Sequence, residues 1–275
     1  MQEKLSKIDS EKERWNYKPS GKVELNPMFA RPIDIRAIFD WYASYWFQLS
    51  TTTLAFILAL IAWFCFFPSV SSFARLNWES YGTLYLLNLI PHCFFAGSIH
   101  YWLYRKKGQD KKFKFDKRDP AKDNGVYTFR DQVKDNMFWT ICSGITIWTF
   151  FQAIVLWAMA NGFAPFLTFS ESPILFILVF PLLIVWSSFH FYWVHRFLHW
   201  PPVYRIAHAL HHRNINVGPW SGISMHPIEH FLFYTNFLVH FILASNPVHL
   251  MFHGYMQSIH PIFSHSGFEK LYVAN

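Results

Sequence analysis

Polar and apolar positions are segregated along this chain in whole segments. Residues 46–67, 82–104, 137–160 and 173–194 carry no charge, and each is long enough for a transmembrane helix, which needs roughly 20 apolar residues. They pair into two hairpins. The outer turn of the first has Arg75 as its only Lys or Arg, and the outer turn of the second, NGFAPFLTFSES, has none. Between the hairpins lies a polar insert, residues 105–136. After the fourth apolar stretch, Pro201-Pro202 ends the helix, since proline lacks an N–H and disfavours helix at its predecessor. A short helix is then expected from near Val203. Further on, residues 231–245 are apolar but short, Asn246-Pro247 reads as a turn, and residues 248–263 are apolar again. Two half-depth segments, a re-entrant pair, fit this pattern and keep His230 and His265 on one face; a shallow full hairpin is the alternative. The predicted fold class is therefore all-α: an integral membrane helical bundle of four spans plus a re-entrant pair.

Composition agrees with a single membrane domain. The 275 residues are 52% hydrophobic, 21% aromatic and only 15% charged, too apolar for an ordinary soluble domain. Residues 1–40 read as a polar cytosolic tail with an interfacial segment, and residues 41–275 as the membrane-embedded domain. The tail lacks the short apolar core and cleavage site of a signal peptide. The pI of about 9.2 does not indicate nucleic acid, because the basic residues flank apolar runs, where they set topology. Lys106, Lys107, Lys111, Lys112 and Lys114 mark the insert as cytosolic, with anionic lipid contact as the sharper alternative. A multi-pass protein with its histidine-bearing helices on the cytosolic face is expected. Cys65, Cys93 and Cys142 lie far apart inside apolar runs and read as small buried hydrophobes.

The chemistry lies in histidines. Seven fall between His195 and His230, as His195-x-x-x-His199, His208-x-x-His211-His212 and His226-x-x-x-His230. Spacings of three and four place each group on one helical face. Burying so many imidazoles without partners would be costly, so a metal site is expected. Neutral imidazole suits iron, zinc, copper or nickel, and iron is the first choice. A zinc hydrolase and a bis-histidine haem electron carrier remain open as alternatives.

The segment HFYWVHRFLHWPPVYRIAHALHHR resembles the membrane-bound fatty acid hydroxylase and sterol desaturase superfamily. Two of the superfamily's histidine boxes stand here as His195/His199 and His208/His211/His212; GPWSGISMHPIEHFLFY and SHSGFEK resemble its following stretches. The resemblance covers roughly residues 189–270. It implies His195, His199, His208, His211, His212, His226 and His265 as ligands of a diiron centre. It further implies dioxygen as co-substrate, a sterol-like or fatty acyl membrane lipid as substrate in lipid biosynthesis, and electrons from NAD(P)H through a small haem or iron–sulfur carrier protein. A later His-x-x-His-His box of the superfamily is not found before Asn275, so the chain is expected to be C-terminally incomplete.

Other polar residues have competing readings. His92, His100 and His190 read as outer hydrogen-bonding groups or lipid-carboxylate contacts, His240, His249, His253 and His260 likewise, and an interhelical hydrogen bond explains His249 and His253 equally well. Glu229 is placed to orient His226 or His230. Arg196 and Arg213 either attract an acidic carrier or lipid headgroups, or snorkel at the interface.

Overall fold

The computed structural model describes residues 27, 30–47, 50–75 and 77–271. The expected polar tail lies, up to residue 26, outside the described residues. Eight helices carry the described fold: α1 (Ile35–Phe47), α2 (Thr51–Phe66), α3 (Trp78–Arg105), α4 (Gln132–Ala160), α5 (Pro173–Leu198), α6 (residues 201–212), α7 (Pro227–Tyr234) and α8 (Pro247–Ser264). No extended strand occurs among the described residues, only isolated bridges such as Lys114 to Phe268.

Three described helices, α3, α4 and α5, are long and apolar enough to cross a membrane. The first of the four expected spans is different. Ser50 caps α2 by accepting from the Thr53 amide, so the helix restarts at Thr51 and runs 16 residues to Phe66. At 1.5 Å per residue that is about 24 Å, short of a hydrocarbon core of about 30 Å. The fourth helix continues past the charge-free stretch through Arg196 to Leu198 and stops just before Pro201-Pro202, as those prolines predict. Downstream, α7 passes into a tighter turn over Thr235–Phe241, and α8 is one helix of 18 residues. Asn246 and His249 form a reciprocal cap at its start.

Burial separates the roles of the helices. In α5, Ile174, Ile177, Val185 and Phe189 are more than half exposed, an apolar face suited to lipid. By contrast α8 is buried around most of its circumference, against α2, α3, α4 and α5. Polar side chains join the centre. Asn88 on α3 donates to Thr149 and Gln152 on α4, at 3.0 and 2.7 Å, and Gln152 donates on to the Leu250 carbonyl of α8 at 3.1 Å. Such interhelical bonds hold helices together where lipid supplies no hydrophobic drive. Gly254 permits the close approach of α8 to α4, for a Cβ there would lie 2.5 Å from Trp148 Nε1.

Candidate metal centre

The last turn of α5 carries His195 and His199 four residues apart. The Trp200-Pro201-Pro202 corner then turns the chain, and α6 comes back with His208 and His212, also four apart. One turn of α6, Tyr204–His208, is wider than an α-helix, a distortion frequent at functional sites. The fold thus faces two histidine pairs at each other. One nitrogen from each of His195, His199, His208 and His212 lies within 4.8 Å of every other. His195 Nε2 is 3.0 Å from His199 Nε2, and His208 Nε2 is 2.9 Å from His212 Nε2. Ligands about 2.1 Å from one ion and at right angles to each other have that separation. The donor set fits a nitrogen-ligated metal. The Tyr204 ring packs beside three of these imidazoles, with centroids 5.8, 5.8 and 5.7 Å from those of His199, His208 and His212.

Glu229 completes the arrangement. Its Oε1 lies 2.7 Å from His208 Nδ1, and both side chains are buried. With Nδ1–H donating to the carboxylate, Nε2 of His208 is left with its lone pair directed into the cluster. Burial pushes the Glu229 carboxyl up to about 9 and the His208 imidazole down to about 4, so His208 is neutral and able to ligate at physiological pH. A cation held by the four imidazoles would draw the carboxyl back to its charged form, the form that accepts from Nδ1–H of His208. Sequence spacing had pointed Glu229 at His226 or His230; the tertiary approach of α7 to α6 gives it to His208 instead. Glu229→Ala should weaken metal binding about 10- to 100-fold, and Glu229→Gln, which keeps an acceptor oxygen, should weaken it less. Competition against a chromophoric chelator measures this, and parent-like affinity in the alanine variant would remove the orienting role.

The remaining predicted ligands are placed apart from the four. His211 donates to the Ser224 carbonyl through Nδ1 at 3.2 Å, and His265 donates to the Pro261 carbonyl through Nδ1 at 3.1 Å. A carbonyl accepts only, so both rings carry their proton on Nδ1 and keep Nε2 as a lone-pair donor. Their centroids are 5.8 Å apart, and His211 stacks on His208 at 5.7 Å. Burial, reinforced by His265, holds His211 down at about 3. His226 sits elsewhere: it is the N-cap of α7, its Nδ1 accepting from the Ile228 amide at 3.3 Å. His230 has both nitrogens engaged, Nδ1 with Ser143 at 2.9 Å and Nε2 with the Ile223 carbonyl at 3.0 Å. Gly144 makes room for that ring, since a Cβ there would lie 3.0 Å from Nε2. Arg213 is taken up by the buried Asp135 carboxylate and the Val126 carbonyl, whereas Arg196 lies exposed against the Tyr192 hydroxyl.

A cavity of about 560 Å³ adjoins the histidines, its wall including His195, His211, Glu229 and His265. It occupies the wedge between α2, α5 and α8, where Ile184, Phe191, Val194, Leu198, Phe233 and Met256 make most of its wall apolar. On α5 it runs from Ile184 to Leu198, about 21 Å of helix. Below Ile184 the helices close on an aromatic floor: Phe180 meets Phe56 of α2 at 4.9 Å and Phe252 of α8 at 5.1 Å.

Comparison with known proteins meets the same region. Residues 180–274 match the family model described as fatty acid hydroxylase. A Delta(7)-sterol 5(6)-desaturase of Aspergillus fumigatus is 39% identical over 64 residues, 23% of this chain and 19% of that protein. One of Gibberella zeae is 32% identical over 87 residues, 31% and 27% of the two chains, and one of Candida albicans 37% over 51 residues, 18% and 13%. The chain therefore spans well under a third of the length of these relatives. No solved structure matches it. The matched segment holds both histidine boxes, Glu229 and His265, the residues that build the centre and one wall of its cavity, and over residues 180–274 the chain is similar to the fatty acid hydroxylase family.

Proposed function

We propose that the protein is an oxygen-dependent iron oxidoreductase that hydroxylates or desaturates a membrane lipid of sterol or acyl type. One observation carries this reading: four convergent imidazoles border an apolar cavity of about 560 Å³ in a membrane-type helical bundle. His195, His199, His208 and His212 would hold one iron; His211 and His265, with free Nε2 atoms beside the same cavity, are the residues on hand for a second. Iron, when bound, supplies the power to activate dioxygen and oxidise an unactivated C–H bond, which side chains lack.

The chain's own contribution is positional. Glu229 fixes His208, Tyr204 packs beside three of the imidazoles, and the apolar wall holds a lipid while excluding water. We also propose a multi-pass topology with the centre and the Lys-rich insert on the cytosolic face, supported by the near absence of Lys and Arg from the opposite turns. Electrons then reach the site from a reduced pyridine nucleotide through a small haem or iron–sulfur carrier at that face. The relatives named as sterol desaturases favour a sterol over an acyl chain.

The purified full-length protein, loaded with ferrous iron and supplied with dioxygen, reductant and a panel of sterols and acyl lipids, should give an oxidised lipid detectable by mass spectrometry. Tightly bound zinc with lipid hydrolysis and no oxygen uptake would establish the hydrolase alternative, and a Soret band the haem alternative.

A further inference from the structure

The cavity wall is not uniformly apolar, and some of its polar groups have no protein partner. Gln257, on α8, lines the cavity at 8% exposure, and its amide makes no hydrogen bond among the described residues. His260 lies three residues on, hence on the same face of α8. Its Nδ1 is bound to the Thr51 hydroxyl at 2.8 Å, which leaves Nε2 for the cavity. Ser187, on the α5 wall, has a buried hydroxyl with no partner. An amide that faces the cavity without a protein partner, together with the unpartnered Ser187 hydroxyl, offers hydrogen bonds that a ligand's polar group can take up.

Charge narrows what that group is. No lysine or arginine lines the cavity among the described residues. At the α8 wall, where Gln257 and His260 sit, an anionic headgroup would have no cationic side chain beside it. An uncharged hydroxyl suits the site: it donates to the Gln257 carbonyl oxygen or to His260 Nε2 and accepts from the Gln257 amide.

We propose that Gln257, with His260 and Ser187, forms a hydrogen-bonding subsite that selects a neutral hydroxylated lipid over a hydrocarbon or an anionic one. This rests on the reading of the cavity as a lipid site. It assigns specificity to residues outside the metal cluster, and it favours a sterol-type alcohol over a free fatty acid. Sites built to hydrogen-bond a substrate hydroxyl reject analogues without it far more strongly than apolar pockets distinguish size.

The test uses the full chain in detergent with the fluorescent sterol dehydroergosterol as reporter, excited by transfer from tryptophan. Cholesterol, cholestane and palmitate serve as competitors. Cholesterol should displace the reporter at concentrations about tenfold lower than cholestane or palmitate, the discrimination expected for one buried hydrogen-bonded group. In Gln257→Leu that preference should shrink to about threefold or less, and Ser187→Ala, a smaller change less able to disturb folding, should reduce it in part. Parent-like metal content would show that each variant is folded. Equal displacement by cholestane and cholesterol, palmitate as the best competitor, or an unchanged preference in both variants would overturn the subsite while leaving the lipid cavity standing. Failure of dehydroergosterol to bind the parent chain would overturn the lipid cavity as well.

Discussion

His208→Ala should strip the protein of its metal and abolish lipid oxidation, the largest effect expected of any single substitution. His208 is the most enclosed member of the cluster, paired on one side with Glu229 and facing three imidazoles on the other. Its loss removes a ligand and also leaves the Glu229 carboxyl buried without its hydrogen-bond partner. His195→Ala should have a similar effect on metal content, because it breaks the pair formed with His199 at the end of α5. His226→Ala should keep the metal, since that ring caps α7 and its Nδ1 is taken by the Ile228 amide. Metal analysis of the three purified variants separates these outcomes without an activity assay. Retention of metal in His208→Ala, or its loss in a folded His226→Ala protein, would place the centre elsewhere than between α5 and α6.

The residues at this centre differ in how far sequence spacing reveals them. Two imidazoles four apart before Pro201-Pro202, and two more four apart after it, face each other once the prolines turn the chain, and both facts are local. The partner of Glu229 is not local: 21 residues separate it from His208, and the intervening loop decides which imidazole it reaches. His226 carried a signal that was open to a different reading. A polar residue before a proline that opens a helix is a capping position, and the His226-Pro227 pair has that form. His230 shares the i, i+4 spacing of a ligand, yet Ser143 and the Ile223 carbonyl use both its nitrogens. Spacing shows which residues share a face, never what already occupies them. The interruption near Ser50 was hidden for a similar reason, since apolar composition continues across a cap. Gln257 was visible as an amide within an apolar run, but its meaning depends on the wedge between α2, α5 and α8, which no single segment encodes.

Arg213→Ala should destabilise the folded protein by about 3–5 kcal/mol, the usual result of leaving a buried charge without its partner. Asp135 is completely buried at the start of α4, and Arg213, mostly buried, follows His212 at the end of α6. The same side chain bonds the Val126 carbonyl at 3.1 Å and lies 5.3 Å from the Tyr127 ring, so the insert, α4 and the second histidine box meet on one guanidinium. Replacing both partners, as Asp135→Leu with Arg213→Met, should recover most of the loss, because an apolar pair of similar size carries no uncompensated charge. Arg196→Ala, at an exposed position against Tyr192, should change stability little. Thermal unfolding in detergent compares the four proteins. Metal affinity in the Arg213→Ala variant should fall with stability, because the clamp is adjacent in sequence to His212 and its release frees the end of the helix that presents both His208 and His212. A stable Arg213→Ala protein with parent-like affinity would show that α6 is held by its packing alone, and would return Arg213 to the role of a surface cation.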